Sequence, residues 1–535
     1  MPASQAGGHR EQGASTVVSG TREKRSLDLR VPALTILAHP AAARVGERVL
    51  LPALISGRPV PLSRLTPLFA LPGSGETRPL EDIHLSRQPI TLAPGEQTGS
   101  IHILATPEGS RVEAFGPGAQ DELGPADLER GVPLLLGGHV ALLLHLLPAA
   151  QPRDLDRHGL IGDGAAIVEL RAAIRRAAAL AAPVLLRGET GTGKELVARA
   201  IHQASPRRAS PYLALNLGAV PASLAASELF GAARGSFTGA DRRREGYFER
   251  ADGGTLLLDE IGEAPPEVQA LLLRTLENGE IQPVGADAPR RVDVRVVAAT
   301  DADLEKLVAD GRFRAPLLHR LQGDQIRLPP LRARRDDVGR LLIHFLRQEL
   351  EAVGEAQLLD DPGPGARPWL PARLVARLAA ADWPGNVREL RNVARRLAAG
   401  ASAAAPAELP PDLEATVFSA IGAVAAEPAA PPKEEPKPRA RHFRAMAEVP
   451  EEEVLDVLRA EHFNLTLAAG RLDVSRTALY AWVERHPGLR KASSLSREEI
   501  AAALDRAAGD NDGAADLLGV SRHGLRLRRS ALGFG

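Results

Sequence analysis

A phosphate-binding loop is the sequence feature that most restricts how this chain can fold. The loop reads GETGTGK and lies between an apolar, strand-like segment at Pro183–Leu186 and a helical segment at Leu196–Ile201. This order lets backbone N–H groups and a helix N-terminus point at a phosphate while the lysine reaches the β- and γ-oxygens. The candidate nucleotide ligands are Gly188, Glu189, Thr190, Gly191, Thr192, Gly193, Lys194 and Glu195.

Two further apolar strands end in polar side chains. Thr255–Leu258 is followed by Asp259 and Glu260, and the carboxyl ends of parallel strands face the crevice in which such a loop lies. We expect Asp259 to hold Mg²⁺ and Glu260 to polarise the attacking water, as phosphoryl transfer to water requires. Val294–Ala299 ends at Thr300, which can sense the γ-phosphate. The three segments together predict an ATPase that uses ATP and Mg²⁺.

The remaining sequence divides into segments of different composition. Its 535 residues predict three or four domains at about 150 residues each. We predict a disordered N-terminus at 1–28, a β-sandwich at 29–150, an α/β ATPase at 155–398 with a helical lid from about 330, an Ala/Pro-rich linker at 399–446, and a helical region at 447–535. The predicted fold class is therefore multidomain: a β-sandwich, an α/β P-loop ATPase with an α-helical lid, and an all-α region.

Charge and cysteine content exclude several classes of protein. The net charge of −1 excludes a uniformly basic nucleic-acid coat, so any DNA-binding surface has to be local. The absence of cysteine excludes a disulfide scaffold, a thiolate metal site and a cysteine nucleophile. The longest apolar run, Val132–Leu147, is interrupted by Gly137 and Gly138 and is predicted to form two strands joined by a Gly-Gly turn. No membrane span or export signal is visible, so we expect a cytoplasmic protein with no membrane partner.

The C-terminal region contains an internal repeat. A shift of 46 residues places Leu472 on Leu518, and Val474-Ser475-Arg476 on Val520-Ser521-Arg522. Each copy is predicted to have helix-turn-helix spacing, with Ser475 or Ser521 as the N-cap of its last helix. The final helix concentrates positive charge in Arg522, His523, Arg526, Arg528 and Arg529.

The central motifs resemble one family, the sigma-54-dependent transcriptional activators of the AAA+ class. In this family an insertion with the sequence GAFTGA contacts sigma-54, and the present chain has a similar string, GSFTGA, at Gly235–Ala240. The resemblance runs from Leu160 to Arg396. It implies that Phe237 and Thr238 contact sigma-54 and that RNA polymerase holoenzyme containing sigma-54 is a partner.

The same resemblance implies roles for four further residues. Asn216 would restrain Glu260 until the γ-phosphate is sensed, and Arg388 would be a second sensor. Arg314 and Arg320 would be arginine fingers that reach the nucleotide of a neighbouring subunit, which makes hydrolysis depend on assembly. The resemblance therefore also implies a homo-oligomer, from dimer to hexamer.

Several residues depart from the family pattern. Glu195 stands in place of the Ser or Thr that usually helps to hold Mg²⁺, and Asp301 in place of an Asn near the γ-phosphate. Pro316 replaces an acidic residue between the two arginines and is expected to disturb their helix. Ser236 replaces an Ala in the GAFTGA string, and Ala232-Ala233 replaces His-Glu before it. These changes bear on the rate and coupling of hydrolysis more than on nucleotide binding.

The two flanking regions resemble known modules with weaker motifs. The N-terminal sandwich resembles a forkhead-associated domain, which implies that Arg64, Ser86 and Arg87 bind a phosphothreonine-containing protein or kinase. Pro89 and Phe115-Gly116 depart from that pattern, and a sandwich that serves only in assembly is the alternative.

The second C-terminal copy resembles a Fis-type helix-turn-helix at 496–535. This implies that Ser521, Arg522, His523 and Arg526 contact double-stranded, enhancer-like DNA. The first copy is poorer in charge and is expected to pack or dimerise, and a helical bundle with a solvated basic face is the alternative for the second.

These features predict a transcriptional regulator that hydrolyses ATP in an AAA+ ring to remodel the closed complex of sigma-54 RNA polymerase while bound to upstream DNA. One alternative is a DNA-bound regulator or repressor with a degenerate, non-hydrolysing nucleotide site. A second is an AAA+ protein that remodels a different client.

Overall fold

The structure is a computed structural model that describes residues 29–116, 122–150, 156–234, 243–363, 366–418, 444, 446, 449–461, 463, 465–486, 495–507, 510–520 and 522–531. The chain divides into two compact units, Met1–Ala426 and Glu427–Gly535. The first unit contains a β-sandwich, an α/β body and a helical lid. None of the described helices is long and apolar enough to cross a membrane.

The N-terminal part of the first unit is built from two antiparallel sheets. Its elements are β1 (Arg30–Ala38), β2 (Arg48–Leu50), α1 (Pro52–Ile55), β3 (Val60–Leu62), β4 (Ile90–Pro94), β5 (Ile101–Leu104), β6 (Val112–Ala114), β7 (Glu122–Leu123), α2 (Pro125–Arg130), β8 (Val132–Leu136) and β9 (Val140–Pro148). The first sheet has the order β2-β1-β9-β8-β6 and the second β3-β4-β5-β7. Gly137 and Gly138 both have positive φ in the turn between β8 and β9, as the sequence predicted.

Apolar side chains of both sheets meet in one core. Leu34 and Leu142 of the first sheet pack with Leu92 and Ile101 of the second. An antiparallel sheet with one face in water alternates buried and exposed residues, but β8 is buried at all five of its positions. The outer face of the first sheet is covered by the helical lid, because Leu37, Leu135 and Leu143 belong to the core of the lid.

The α/β body has a five-stranded parallel sheet. Its elements are α3 (Ala165–Ala179), β10 (Val184–Arg187), α4 (Lys194–Ala204), β11 (Tyr212–Asn216), α5 (Ala222–Phe230), α6 (Tyr247–Arg250), β12 (Thr255–Asp259), α7 (Pro266–Asn278), β13 (Glu280–Ile281), β14 (Arg290–Arg291), β15 (Arg295–Thr300), α8 (Leu304–Ala309), α9 (Ala315–Leu321) and β16 (Asp324–Arg327). The strand order β11-β12-β15-β10-β16 places β10, which leads into the glycine loop, beside β15. Apolar cores lie on both faces of the sheet.

The lid follows the body and extends further than the sequence predicted. Its helices are α10 (Val338–Val353), α11 (Ala372–Ala380), α12 (Asn386–Ala399) and α13 (Pro411–Phe418). Residues 399–418 were predicted to begin a linker, whereas Leu409 and Val417 are buried in the lid core, with Leu413 packed against it. Leu413 and Val417 are spaced by four and fall on one side of α13, and Leu409 precedes the helix.

The second unit repeats one arrangement of three helices. The first copy contains α14 (Glu451–Ala460), α15 (Leu465–Arg471) and α16 (Arg476–Arg485), and the second contains α17 (Arg497–Arg506), α18 (Asn511–Leu518) and α19 (Arg522–Ala531). Val454 and Leu479 of the first core correspond to Ile500 and Leu525 of the second at the spacing seen in the sequence. Ser475 is the N-cap of α16, since its hydroxyl accepts the N–H of Ala478.

Candidate functional site

The glycine loop lies where the sequence placed it, between β10 and α4. Gly191 and Gly193 have φ of 78° and 104°, values that L side chains rarely adopt. A side chain at position 191 would also collide with the carbonyl of Gly385 in the lid. The Lys194 Nζ donates to the carbonyls of Gly188 at 2.7 Å and Glu189 at 3.4 Å. The loop is therefore curled around its own lysine and packed tightly against the lid.

The charges predicted from separate strands converge on Lys194. Burial lowers the pKa of Lys194, and the carboxylates of Asp301, Asp259 and Glu260 oppose that shift. The guanidinium of Arg388 also acts on the same lysine and favours its neutral form. Three of these groups, Asp259, Glu260 and Asp301, lie at or directly after the ends of strands that finish on the same edge of the sheet, as expected for parallel strands. Arg388 comes from the lid helix α12, about two hundred residues after Lys194 in the chain.

The environment of Asp259 fits a divalent cation. Asp259 pairs in register with Asn216 on the neighbouring strand, and the Asn216 amide donates to Asp259 Oδ2 at 3.4 Å. The other oxygen, Oδ1, is buried and has no hydrogen-bond partner among the described residues. Mg²⁺ in phosphate sites is usually held by one or two carboxylates plus phosphate and water. No group of three or more His, Cys, Asp or Glu side chains that could hold a metal ion occurs in the described parts of the chain.

Glu260 has a strained backbone at the end of β12. Its φ and ψ of 54° and 47° are left-handed, which is uncommon for a residue with a side chain. The carboxylate lies against Gly218, where a side chain would collide with it. The predicted restraint by Asn216 is not a direct hydrogen bond in the described structure, because the Asn216 amide donates to Asp259 and its carbonyl oxygen accepts the N–H of Ala219.

Two side chains of the lid segment, Asn386 and Arg332, bind polar atoms of the glycine loop, and neither contact was predicted from the sequence. Asn386 is completely buried, and its amide donates to the Glu189 carboxylate and to the Thr190 carbonyl, both at 3.1 Å. Arg332 makes a bidentate pair with the same carboxylate, which lowers the pKa of Glu189 to about 2. The side chain of Glu189 is thus bound by the lid, while its predicted part in nucleotide binding through the backbone of the loop stays a prediction. Asn386 lies two residues before Arg388 in the sequence, and no sequence signal singles out Arg332 from the arginines beside it.

The remaining loop residues make local contacts. Thr190 Oγ1 donates to Asp301 Oδ2 at 2.5 Å, and Thr192 Oγ1 donates to the Glu189 carbonyl at 2.7 Å. Thr300 is buried, and its carbonyl accepts the N–H of Gly188. Glu195 is exposed in the first turn of α4.

The two predicted arginine fingers are exposed on α9 and the residue before it. Arg314 is the N-cap residue of α9, and the Arg320 Nε donates to the Leu276 carbonyl at 2.9 Å. The prediction that Pro316 disturbs this helix is wrong. Pro316 lies in the first turn, where a helix has no use for the missing N–H, and α9 continues to Leu321.

Several predicted residues lie outside the part that the structure describes. Phe237 and Thr238, with Ser236, fall in 235–242, and Ser521 and the side chain of His523 are likewise not described. Arg522 and Arg526 are on α19.

In the sandwich, the backbone N–H of Arg64 donates to the Ser86 carbonyl at 3.1 Å, and the Ser86 hydroxyl donates to the Glu108 carbonyl at 2.6 Å. Three loops, which carry Arg64, Ser86 with Arg87, and Glu108, therefore meet at one end of the sandwich.

Comparison with known families identifies the middle of the chain. Residues 160–327 match the model of the Sigma-54 interaction domain, and residues 332–420 match that of the AAA+ ATPase lid domain. The body and lid are thus an AAA+ P-loop ATPase domain with a helical lid, which confirms this part of the predicted fold.

Individual relatives share the same region. The DNA-binding transcriptional regulator NtrC of Salmonella typhimurium is 44% identical over 297 residues, which cover 54% of this chain and 60% of NtrC. The nitric oxide reductase transcription regulator NorR2 of Cupriavidus necator is 50% identical over 239 residues, 45% of this chain and 44% of that protein. Among solved structures, NtrX from Brucella abortus in complex with ATP is 29% identical, with 70% of this chain and 69% of that one covered and a TM-score of 0.43. The chain thus spans less than two thirds of the length of these curated relatives.

Proposed function

We propose that this chain is a sigma-54-dependent transcriptional regulator that hydrolyses ATP to remodel the closed complex of sigma-54 RNA polymerase. The observation that carries the proposal is the position of Asp259, Glu260 and Asp301 at or directly after the ends of the parallel strands β12 and β15, at the edge where β10 leads into the glycine loop and Lys194. All four residues lie within the part that matches the Sigma-54 interaction domain.

The geometry supports a division of labour in hydrolysis. When ATP binds, the Lys194 Nζ exchanges its hydrogen bonds to the Gly188 and Glu189 carbonyls for bonds to the β- and γ-phosphate oxygens. Asp259, through its unbonded oxygen, holds Mg²⁺, which when bound would neutralise developing charge on the phosphates. Glu260 orients and deprotonates the attacking water, and Thr300 and Arg388 read the γ-phosphate from β15 and the lid.

Assembly completes this site. The exposed positions of Arg314 and Arg320 suit arginines that act on the nucleotide of the next subunit, where they stabilise charge in the transition state. We therefore propose a ring, a hexamer in its active form, in which ATP turnover moves the loop that carries Phe237 and Thr238 against sigma-54.

The rival function is a DNA-bound repressor that binds ATP without hydrolysing it. One observation favours it: Asp301 is hydrogen-bonded to Thr190 of the glycine loop and adds a negative charge near the γ-phosphate position. The Asp301 carboxylate also opposes the lowering of the Lys194 pKa by burial, so its charge weakens the pull of the lysine on a phosphate.

The deciding experiment is in vitro transcription from a supercoiled sigma-54 promoter with purified holoenzyme, ATP and the full chain. We expect ATP-dependent transcripts, and loss of these transcripts in Thr238→Ala with ATPase largely retained. ATP turnover without transcripts would favour a different client, and no turnover at any protein concentration would favour the repressor.

We further propose that the sandwich is a forkhead-associated domain that binds phosphothreonine. The meeting of the loops that carry Arg64, Ser86 and Arg87 supports this, since hydroxyls and guanidinium groups at loop tips suit a phosphate dianion. Titration with a phosphothreonine peptide and with the same peptide unphosphorylated tests it. Equal affinity for the two peptides would leave the sandwich a role in assembly only.

For the C-terminal unit we propose DNA binding by the second copy in the cytoplasm. Its helix α19 carries Arg522, Arg526, Arg528 and Arg529, and a basic helix of a Fis-type helix-turn-helix fits a major groove. Arg526→Ala should weaken binding to upstream DNA and lower its salt dependence.

A further inference from the structure

The β-sandwich, the body and the lid meet at a cluster of charged side chains close to the nucleotide site. We define this junction cluster as Arg48, Asp163, Asp336, Asp337 and Arg340. Arg48 belongs to β2 of the sandwich, Asp163 precedes α3 of the body, and the other three begin the lid. The cluster takes no part in the site described above.

Asp163 links all three parts. Arg48 donates from its guanidinium to the Asp163 carbonyl, and Arg340 pairs with the Asp163 carboxylate. The stem of Arg340 passes so close to Gly46 of the sandwich that a side chain at position 46 would collide with it. One residue of the body is therefore held at its carbonyl by the sandwich and at its carboxylate by the lid.

The neighbouring aspartates tie the same segment to the lid. The Asp337 carboxylate accepts the N–H groups of both Asp163 and Gly164 at 3.0 Å. Side chains at Gly162 or Gly164 would collide with Asp337 or Asp336, so only glycine lets the chain wrap around the two carboxylates. Burial lowers the pKa of Arg48, and the negative charges of Asp336 and Asp337 oppose that shift.

The cluster reaches the glycine loop through Arg334, whose carbonyl accepts the N–H of Asp337 at 3.0 Å. Arg334 is buried and donates to the Thr192 carbonyl at 3.4 Å, and the lid also donates from the Val387 N–H to the Gly191 carbonyl at 3.0 Å. A part that contacts both sides of a cleft limits how far the two sides can move apart. The sandwich does so here, because its outer sheet is buried in the lid core and Arg48 holds the body.

We propose that the sandwich is a positioning element of the nucleotide site, in which Arg48 and the docked outer sheet hold the lid against the glycine loop in the arrangement that binds ATP. The inference rests on the proposed ATPase. Undocking the sandwich then lowers the population of the binding-competent arrangement, and the apparent affinity for ATP falls by that fraction. A signal received by the sandwich is thereby passed to the ATPase within one chain.

The first experiment compares the full chain with Arg48→Ala, Arg48→Lys and Arg58→Ala. Arg58 is an exposed arginine of the same sandwich and is the matched control. Amide hydrogen exchange is followed at 160–164 and 188–194, and the Kd of a fluorescent ATP analogue is titrated. We expect Arg48→Ala to speed exchange in both segments and to raise the Kd roughly fivefold, with kcat at saturating ATP changed by less than about twofold. Arg48→Lys should restore most of the affinity, and Arg58→Ala should match the wild type.

A second variant removes the docking without touching a charge. Gly339 lies in the first turn of α10, and a side chain there would collide with the Leu37 carbonyl of β1. Gly339→Ala should raise the Kd in the same direction as Arg48→Ala. Gly470→Ala, in α15 with open space around it, is the control for a glycine-to-alanine change in a helix.

The outcomes separate the two proposals. A chain that binds the analogue without hydrolysing ATP defeats the proposed function, but exchange and Kd still decide the positioning role. If Arg48→Ala speeds exchange at 160–164 while exchange at 188–194 and the Kd stay as in wild type, the contact is local and the positioning role is overturned. If the chain binds no nucleotide, the hydrogen exchange alone decides. Exchange at 188–194 that is unchanged in both Arg48→Ala and Gly339→Ala then overturns the positioning role of the sandwich.

Discussion

The nucleotide site has a strand side and a lid side, and the two hold the glycine loop by different means. On the strand side, Asp259, Glu260 and Asp301 place negative charges near Lys194. On the lid side, Asn386 and Arg332 bind polar atoms of the loop itself. The difference indicates that chemistry and positioning are separated across the cleft. Substitutions on the strand side should change the rate, and those on the lid side should change affinity and stability.

The largest effect is expected from Glu260→Gln on the strand side. The amide cannot accept the proton of the attacking water, so kcat should fall by a factor of about 10² to 10⁴. The affinity for ATP should stay within about twofold, because Lys194 and Asp259 are intact. Steady-state turnover and ATP titration on the full chain check both values.

Glu263→Gln is the control for this change. It removes an exposed carboxylate from the same short turn and should leave kcat unaltered. Normal turnover in Glu260→Gln would show that Glu260 is not the base that deprotonates the attacking water.

On the lid side, the main test is Asn386→Ala. It removes the bonds to Glu189, Thr190 and the Leu331 N–H, and it places alanine at a φ of 52°. We expect a loss of about 3 kcal/mol in the free energy of unfolding, from unpaired buried groups and left-handed strain. ATP affinity should fall as well, while kcat at saturating ATP changes little.

Asn386→Gly separates the two causes. Glycine accepts the left-handed conformation, so this variant should be about 1 kcal/mol more stable than Asn386→Ala while ATP affinity stays low. Denaturant unfolding of both variants measures the difference. A wild-type affinity in both would show that the lid does not position the loop.

The two sides also differ in how far the sequence predicts them. The glycine loop and Asp259-Glu260 follow from the local order of strands, loop and helix. Asn386 binds Glu189 from nearly two hundred residues further along the chain, and Arg332 from more than one hundred and forty. Asn386 also binds a backbone atom of the loop, the Thr190 carbonyl. Such contacts leave no local pattern, so the sequence does not predict that the Glu189 side chain is bound by the lid.

The sequence contains a signal of the contact between the sandwich and the lid. It was used only to predict two strands joined by a Gly-Gly turn. Leu134–Leu136 and Ala141–Leu144 are apolar at every position, which indicates strands buried on both faces. Composition alone does not show what covers the second face. The helix α13 was missed for the opposite reason, since its few apolar residues are diluted by Ala, Pro and Glu.

Protonation of His145 should make the packing of the sandwich against the lid sensitive to acid. His145 of β9 is buried where the sandwich meets the lid, with Thr35, Arg48 and Asp336 around it, and burial lowers its pKa to about 4. The imidazole stays neutral in the folded chain while it gains a proton near pH 6.5 in the unfolded chain. The contribution of His145 to the free energy of unfolding should therefore fall as the pH drops, by about 2 kcal/mol between pH 6.5 and 5. Burial raises the pKa of the nearby Asp337 to about 7, which contributes in the opposite direction.

His145→Gln isolates this contribution. All other titrating groups are shared with the wild type, so the difference between the two curves of unfolding free energy against pH reports His145 alone. Parallel curves would show that His145 is accessible to protons in the folded chain, and that acid does not act through the docked face.

The smallest effect is expected from Arg332→Ala. Arg332 and Glu189 are each 42% exposed, and ion pairs open to solvent contribute less than about 1 kcal/mol. The pKa of Glu189 should return from about 2 toward its ordinary value, yet unfolding free energy and ATP affinity should change far less than in Asn386→Ala. Arg332→Lys keeps the charge and should be nearer still to wild type. If Arg332→Ala lowers the ATP affinity as much as Asn386→Ala does, the exposed ion pair is the contact by which the lid positions the loop. The buried amide of Asn386 would then contribute to stability only.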